Sequence, residues 1–317
     1  MSPHSQIPPK TRAYNIVKSR GGFTNGNMNI IEAASPSTPQ ADEVLVKAHA
    51  VSLNGHTLRH NLVPTSDTAF EIIAVGPSVK GWKVGQRVCA NFCPDHIHGE
   101  NTSEGRDSAL GAVAPGVLTE YRTFPAHSLV VIPEHLSYEE ASTLPCAGLT
   151  AHNALLGSKP IKGGDVVLVL GTGGISIFAL QIAVASGAVV IATSSSDEKL
   201  RCCVSGVKHV IEVGGSGTLI KSINSIRIGG SVGIIGSLSS EGADPAGLIG
   251  PIMMHSANVR GIMVGSVEQF KDFNRLLDAQ IKPVVDKVFD FEQAVDAYTH
   301  LESQKHIGNV VIKVAKN

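Results

Sequence analysis

Apolar positions fall along the chain in two textures. Up to about residue 144, short β-branched runs at 43–48, 71–75, 86–89 and 128–133 are separated by Gly and Pro, the spacing of strands in an antiparallel, barrel-like domain. From Thr150 onward, continuous apolar runs alternate with segments of helical period, the pattern of a parallel sheet with helices on both faces. Strands are predicted at 165–170, 188–193, 209–213, 231–235 and 258–264, with helices between them. After Lys282 the pattern returns to strand, helix and strand at 284–289, 291–303 and 309–314. That tail is too short for a core of its own and is expected to pack back on the first domain. The expected organisation is therefore α/β: a first domain over 1–147, completed by 284–317, and a doubly wound domain over 148–283. No internal repeat or low-complexity tract interrupts it.

The strongest local feature lies at the start of the second domain. The buried run Gly164-Asp165-Val166-Val167-Leu168-Val169-Leu170 is followed by Gly171-Thr172-Gly173-Gly174-Ile175-Ser176 and then by a helical segment. Strand, glycine turn and helix form a cradle for a pyrophosphate, because the glycines permit the turn and the close backbone approach while the helix start offers N–H groups and a positive dipole end. Ser176 stands where a third glycine is usual and is small enough for close helix packing. In this context Gly171, Thr172, Gly173, Gly174 and Ile175 are predicted to bind a dinucleotide. The next strand ends in Ser194-Ser195-Ser196-Asp197-Glu198-Lys199, so hydroxyls come first where NAD-specific proteins place an acid on the ribose. Ser194 and Ser195 leave room for a 2′-phosphate and Lys199 supplies a countercharge, which makes NADP(H) the expected cofactor and NAD(H) the alternative.

Composition narrows the partners. A formal net charge of −1, with 26 Lys+Arg against 27 Asp+Glu, provides no field to steer a polyanion. The longest apolar stretch falls far short of the roughly 20 residues that span a bilayer. Five cysteines, an odd number without framework spacing, suit reduced thiols and a cytoplasmic placement. A small-molecule substrate is the expected partner, with neither nucleic acid nor membrane.

Over nearly its full length the chain resembles the medium-chain dehydrogenase/reductase superfamily, and in detail its zinc-free quinone-reductase-like and enoyl-reductase-like branch. The resemblance rests on Val75-Gly76-Pro77, Val84-Gly85-Gln86-Arg87-Val88, Gly116-Val117-Leu118-Thr119-Glu120-Tyr121, the segment 141–151, Gly171-Thr172-Gly173-Gly174 and His306-Ile307-Gly308-Asn309-Val310-Val311. It implies a GroES-like catalytic domain made of both chain ends, a Rossmann domain in the middle, a cleft between them, and a homodimer through the Rossmann sheets. It also implies that Thr150 faces the nicotinamide, that Gly214, Gly236, Val264, Gly265 and Ser266 lie on loops lining the nicotinamide half, that Asn309 is a further cofactor contact, and that Asn54 serves the catalytic cleft. His56, near Asn54 in sequence, is a candidate proton donor, although the family commonly carries Tyr and Asp where this chain has Gly55 and Thr57.

Zinc-containing members use a Cys at the position of Asn54, a His near Ser66-Asp67 and a Cys at Cys146. Only Cys146 is present here, and a catalytic zinc needs three protein ligands, so no metal is expected. Hydride transfer then relies on positioning and hydrogen bonding at the substrate oxygen, which favours activated C=C or C=O groups in quinones, enones and aldehydes. Two alternatives stay open: a zinc-type alcohol dehydrogenase and a non-catalytic cofactor-binding remnant. Relative to the family, the chain is short after His60 and after Lys199. The second gap removes about one strand–helix unit, whose strand belongs at the sheet edge, and Phe70 replaces a small residue, which points to a remodelled cleft.

Overall fold

The computed structural model describes residues 7–17, 27–36, 38–55, 60–193, 206–236, 246–277 and 281–315. Two compact units emerge. One holds Met1–Cys146, Ser266–Asn274 and Val285–Asn317; the other holds Ala147–Gly265 and Arg275–Val284.

The first unit begins with the antiparallel pair β1 (Lys10–Ile16) and β2 (Met28–Ala34). A larger sheet follows, built from β3 (Glu43–Leu53), β4 (Asp67–Val75), β5 (Arg87–Ala90), β6 (Tyr121–Pro125) and β7 (Leu129–Val131). β3 is the hub: it pairs antiparallel with β4 and with β6. Its run of Val, Ala and Leu is buried along almost its whole length, as suits a strand covered on both faces. Strands β1, β2 and β6 have no counterpart among the sequence expectations.

The second unit carries one parallel sheet made of β8 (Val166–Leu170), β9 (Val189–Thr193), β10 (Val207–Glu212), β11 (Ile226–Ile234) and β12 (Asn258–Gly261). Among the described residues its order is β12-β11-β10-β8-β9. β10 lies directly beside β8, with His209 opposite Val167 and Ile211 opposite Val169, and β9 borders the sheet on the far side of β8. Branched aliphatic residues on β8, β10 and β11 pack with Ile223 and Ile226 into this unit's own core. The strand expected over 258–264 ends early at Gly261, because Val264 adopts φ +52°, a left-handed conformation that no strand accommodates.

The chain then returns to the first unit. β13 (Val285–Asp290) pairs parallel with β14 (Asn309–Lys313), and β14 lies antiparallel to β3, so both chain ends share one sheet. The helix expected over 291–303 is a short 3-10 turn, Phe291–Gln293, running into the helix Ala294–Glu302. Phe70 sits at the centre of this unit's core, fully buried, with its ring 5.3 Å from that of Phe124. Its bulk fills the core, a correction to the expectation that it reshapes a cleft. Among the described residues no helix is long and apolar enough to cross a membrane.

Two expectations for stability follow. Phe70→Ala should lower the unfolding free energy by about 3–5 kcal/mol through lost burial and the cavity left behind, measured by urea denaturation. Burial also pushes the pKa values of His49, His209 and His306 below the ordinary histidine value. The unfolded chain therefore binds protons that the folded chain resists. Stability should be fully present above about pH 6.5 and fall as pH drops from there through the lowered folded values. His209→Gln should flatten that acid limb in melting curves recorded against pH.

Candidate active site

The cofactor cradle is built where β8 ends. Gly171 takes φ +77°, which side chains rarely adopt, and its N–H bonds the Thr193 carbonyl at 2.8 Å, tying the turn to the end of β9. Gly173 is the N-cap of the helix Gly174–Ala185, and no side chain caps it. The first turn thus keeps N–H groups and a positive dipole end for an anion. Ser176 is buried and its hydroxyl donates to the Leu170 carbonyl at 2.7 Å, so the small residue in the third glycine position locks the helix to the strand. Thr172 and Ile175 flank the turn, both half-buried. These features fit the diphosphate of a dinucleotide.

The neighbouring strands end in loops that one residue organises. Glu212, the last residue of β10, is 0% exposed. Its carboxylate oxygens accept from the Gly214 N–H at 2.7 Å, the Gly215 N–H at 3.0 Å, the Thr218 hydroxyl at 2.6 Å and the Ser222 hydroxyl. Its backbone carbonyl accepts from the Ile235 N–H at 2.9 Å and the Gly236 N–H at 3.4 Å. Gly214 and Gly236, predicted separately, are therefore held by the same residue. At Gly236 a Cβ would stand 2.5 Å from the Val213 carbonyl oxygen, so the close approach needs glycine. Glu212 is absent from the sequence expectations; its one signal is an acid inside an apolar strand run, just before Gly214-Gly215.

Beyond β12, Val264 and Gly265 are buried. The Val264 carbonyl accepts from Asn153 Nδ2. Ser266, expected to line the cofactor, makes a reciprocal cap with Gln269: its N–H donates to Gln269 Oε1 at 2.9 Å and its Oγ accepts from the Gln269 N–H at 3.2 Å. Thr150 is buried on the helix Leu149–Leu156, directly after the π-helical turn Leu144–Gly148; such turns are rare and concentrate at functional sites. The structure thus brings Gly171–Gly174, Gly214, Gly236, Val264 and Gly265 to the carboxyl edge of one parallel sheet, where ligands of such sheets bind.

In the first unit, Asn54 follows the end of β3, half-buried, and its Nδ2 is buried with no acceptor among the described residues. The positions of the other expected zinc ligands are arranged differently. The Ser66 hydroxyl donates to Asp67 Oδ1 at 2.8 Å, and the Cys146 N–H donates to Asp67 Oδ2 at 3.0 Å. Among the described residues no group of three His, Cys, Asp or Glu side chains is placed to hold a metal ion. At the positions where zinc-containing members carry Cys, His and Cys, this chain carries Asn54, Ser66-Asp67 and Cys146, of which the amide and hydroxyl are poor zinc donors and the carboxylate already accepts two hydrogen bonds. Asn309 is buried at the first position of β14, opposite Val285. His56, Ser194, Ser195 and Lys199 lie outside the described residues.

Removing the Glu212 carboxylate tests its part in the loops. Glu212→Ala leaves four donors without their acceptor and should destabilise the chain by about 3 kcal/mol; Glu212→Gln, which keeps one acceptor oxygen, should cost less. Urea denaturation of both variants orders them.

Comparison with known proteins places this geometry. The alcohol dehydrogenase GroES-like domain model matches residues 40–134, and the zinc-binding dehydrogenase model matches residues 185–312. The zinc-type alcohol dehydrogenase-like protein C1773.06c of Schizosaccharomyces pombe is 43% identical over 321 residues, 88% of this chain and 93% of the relative. The 2-methylene-furan-3-one reductase of Solanum lycopersicum is 27% identical over 304 residues, 86% of this chain and 71% of the relative. A solved NAD-dependent alcohol dehydrogenase structure superposes with a TM-score of 0.81 at 26% identity, covering 96% of this chain and 100% of that one. Glycine cradle, sheet edge and full-length relatives agree: the chain belongs to the medium-chain dehydrogenase/reductase superfamily and is an NAD(P)H-dependent oxidoreductase.

Proposed function

We propose that the chain is an NADP(H)-dependent, zinc-independent reductase of activated C=C or C=O groups in quinones, enones or aldehydes. The observation that carries this reading is what occupies the sequence positions of the zinc ligands: Asn54, Ser66-Asp67 and Cys146, where Asp67 accepts from the Ser66 hydroxyl and the Cys146 N–H and the Asn54 Nδ2 has no acceptor among the described residues. The nicotinamide cofactor, when bound, supplies the hydride. The chain's own contribution is to bind the diphosphate at Gly171–Gly174 and to donate a hydrogen bond from Asn54 to the substrate oxygen as negative charge develops on it. Conjugated substrates need no more than this, because hydride addition leaves a delocalised enolate that water protonates.

NADP(H) is preferred over NAD(H) on the hydroxyls of Ser194 and Ser195 and the charge of Lys199. A homodimer working in the cytoplasm on a small molecule completes the proposal. The match to a zinc-binding dehydrogenase model favours a second reading, a zinc-type alcohol dehydrogenase.

NADPH and NADH titrations by cofactor fluorescence should show NADPH as the tighter ligand. Consumption of NADPH with a panel of quinones, enones and aldehydes should follow, and elemental analysis should find no stoichiometric zinc. Asn54→Ala should lower kcat by roughly 10²-fold, the usual effect of removing one donor to a developing oxyanion, with NADPH affinity unchanged. Stoichiometric zinc with alcohol oxidation would establish the second reading. NADPH binding without turnover of any substrate would identify a cofactor-binding remnant.

A further inference from the structure

The most strained backbone on the carboxyl edge of the parallel sheet is at Val264. It is β-branched, 5% exposed, and takes φ +52°, a conformation in which such a residue is a true outlier and which persists only where surroundings enforce it. The enforcing contact is visible. Asn153 Nδ2 donates to the Val264 carbonyl at 2.5 Å. Asn153 is itself held on the other side, since Arg260 donates to Asn153 Oδ1 at 3.1 Å and to the Asn153 carbonyl at 3.4 Å. The Arg260–Asn153 contact needs space at Gly157, where a Cβ would stand 3.0 Å from an Arg260 guanidinium nitrogen and closer still to Asn153. Helix, strand and loop are thereby joined: Asn153 belongs to the helix Leu149–Leu156 that carries Thr150, and Arg260 to β12.

We propose that Asn153, oriented by Arg260, is a positioning residue that holds the Val264–Gly265 loop in its left-handed shape and so fixes the nicotinamide end of the bound dinucleotide. The proposal rests on the cofactor reading above. With the Val264 carbonyl occupied by Asn153, the loop turns at 264 and cannot continue β12 as a strand across the sheet edge. The diphosphate cradle at Gly171–Gly174 lies at the end of another strand, β8, three places away with β11 and β10 between, and does not depend on this contact.

The primary variant is Asn153→Asp, which keeps the size and the acceptor for Arg260 but replaces the donor to Val264 with a repelling oxygen. Asn153→Ala is the second, in case the charged variant fails to fold, and melting curves check both. Two probes are titrated: NADPH, and 2′-phospho-ADP-ribose, which retains the diphosphate but lacks nicotinamide. The expected result is NADPH affinity weakened on the order of tenfold and 2′-phospho-ADP-ribose affinity unchanged. In turnover with NADPH stereospecifically deuterated at C4, facial selectivity of hydride transfer should drop. Val264→Gly, which adopts positive φ without a side-chain penalty, should restore NADPH affinity in the Asn153→Ala background.

Equal weakening of both probes would reduce Asn153 to a structural residue and overturn the proposal. So would unchanged affinity for both, or failure of Val264→Gly to restore binding. Wild-type protein that binds neither probe would overturn the cofactor reading itself, and the proposal with it.

Discussion

The middle unit depends on the direct pairing of β10 with β8. In a parallel sheet every strand ends at the same edge, so a loop can serve a ligand bound at the first strand only if its own strand is anchored close by. The register of His209 to Ile211 against Val167 to Val169 sets the heights of Gly171 and Gly214 at that edge. β11 and β12 then carry Gly236 and Val264 outward in order. The strand–helix unit expected to be absent between β9 and β10 would, in the doubly wound order, border β9 and leave this half of the sheet untouched.

Hydrogen bonding to a few buried polar groups then shapes the edge. Glu212 gathers two loops, and Asn153 bends a third. In the outer unit Asp67 holds the backbone of Cys146 within the turn that leads to Thr150. Each is a buried polar side chain whose acceptors or donors are taken by backbone and side-chain partners together, the arrangement in which such a group is stabilising and specific. Asn54 differs from these three: its Nδ2 is a buried donor whose partner is lacking among the described residues, placed after the hub strand of its sheet.

Much of this was legible in the chain. Continuous Val and Leu runs marked β8 and β10, the glycine spacing marked the turn after β8, and the replaced ligand positions marked the zinc question. What was not legible has a common physical cause. Ser266 reads as a loop residue, yet its cap with Gln269 is a local bond that no apolar pattern reveals. Val264 extends an apolar run, and only its contact with Asn153, 111 positions away, ends the strand at Gly261. Phe70 stands where a small residue is usual, and its place in the core became visible only with its neighbour Phe124 in position. A local cap decides the first case and contacts between distant segments the other two, and periodicity carries no information about either.

The strain at Val264 makes the shape of its loop depend on a partner outside the loop. Left to itself, a valine there returns to extended backbone; held by an amide from the facing helix, it turns. A shape held by one hydrogen bond means that the grip on a cofactor can be adjusted from a helix or from a strand, with every ligand-touching residue unchanged. Drift at positions 153, 157 or 260 would therefore alter function while leaving the glycine fingerprint intact, so proteins of this kind can diverge in catalytic behaviour without any visible change in the motif by which they are recognised.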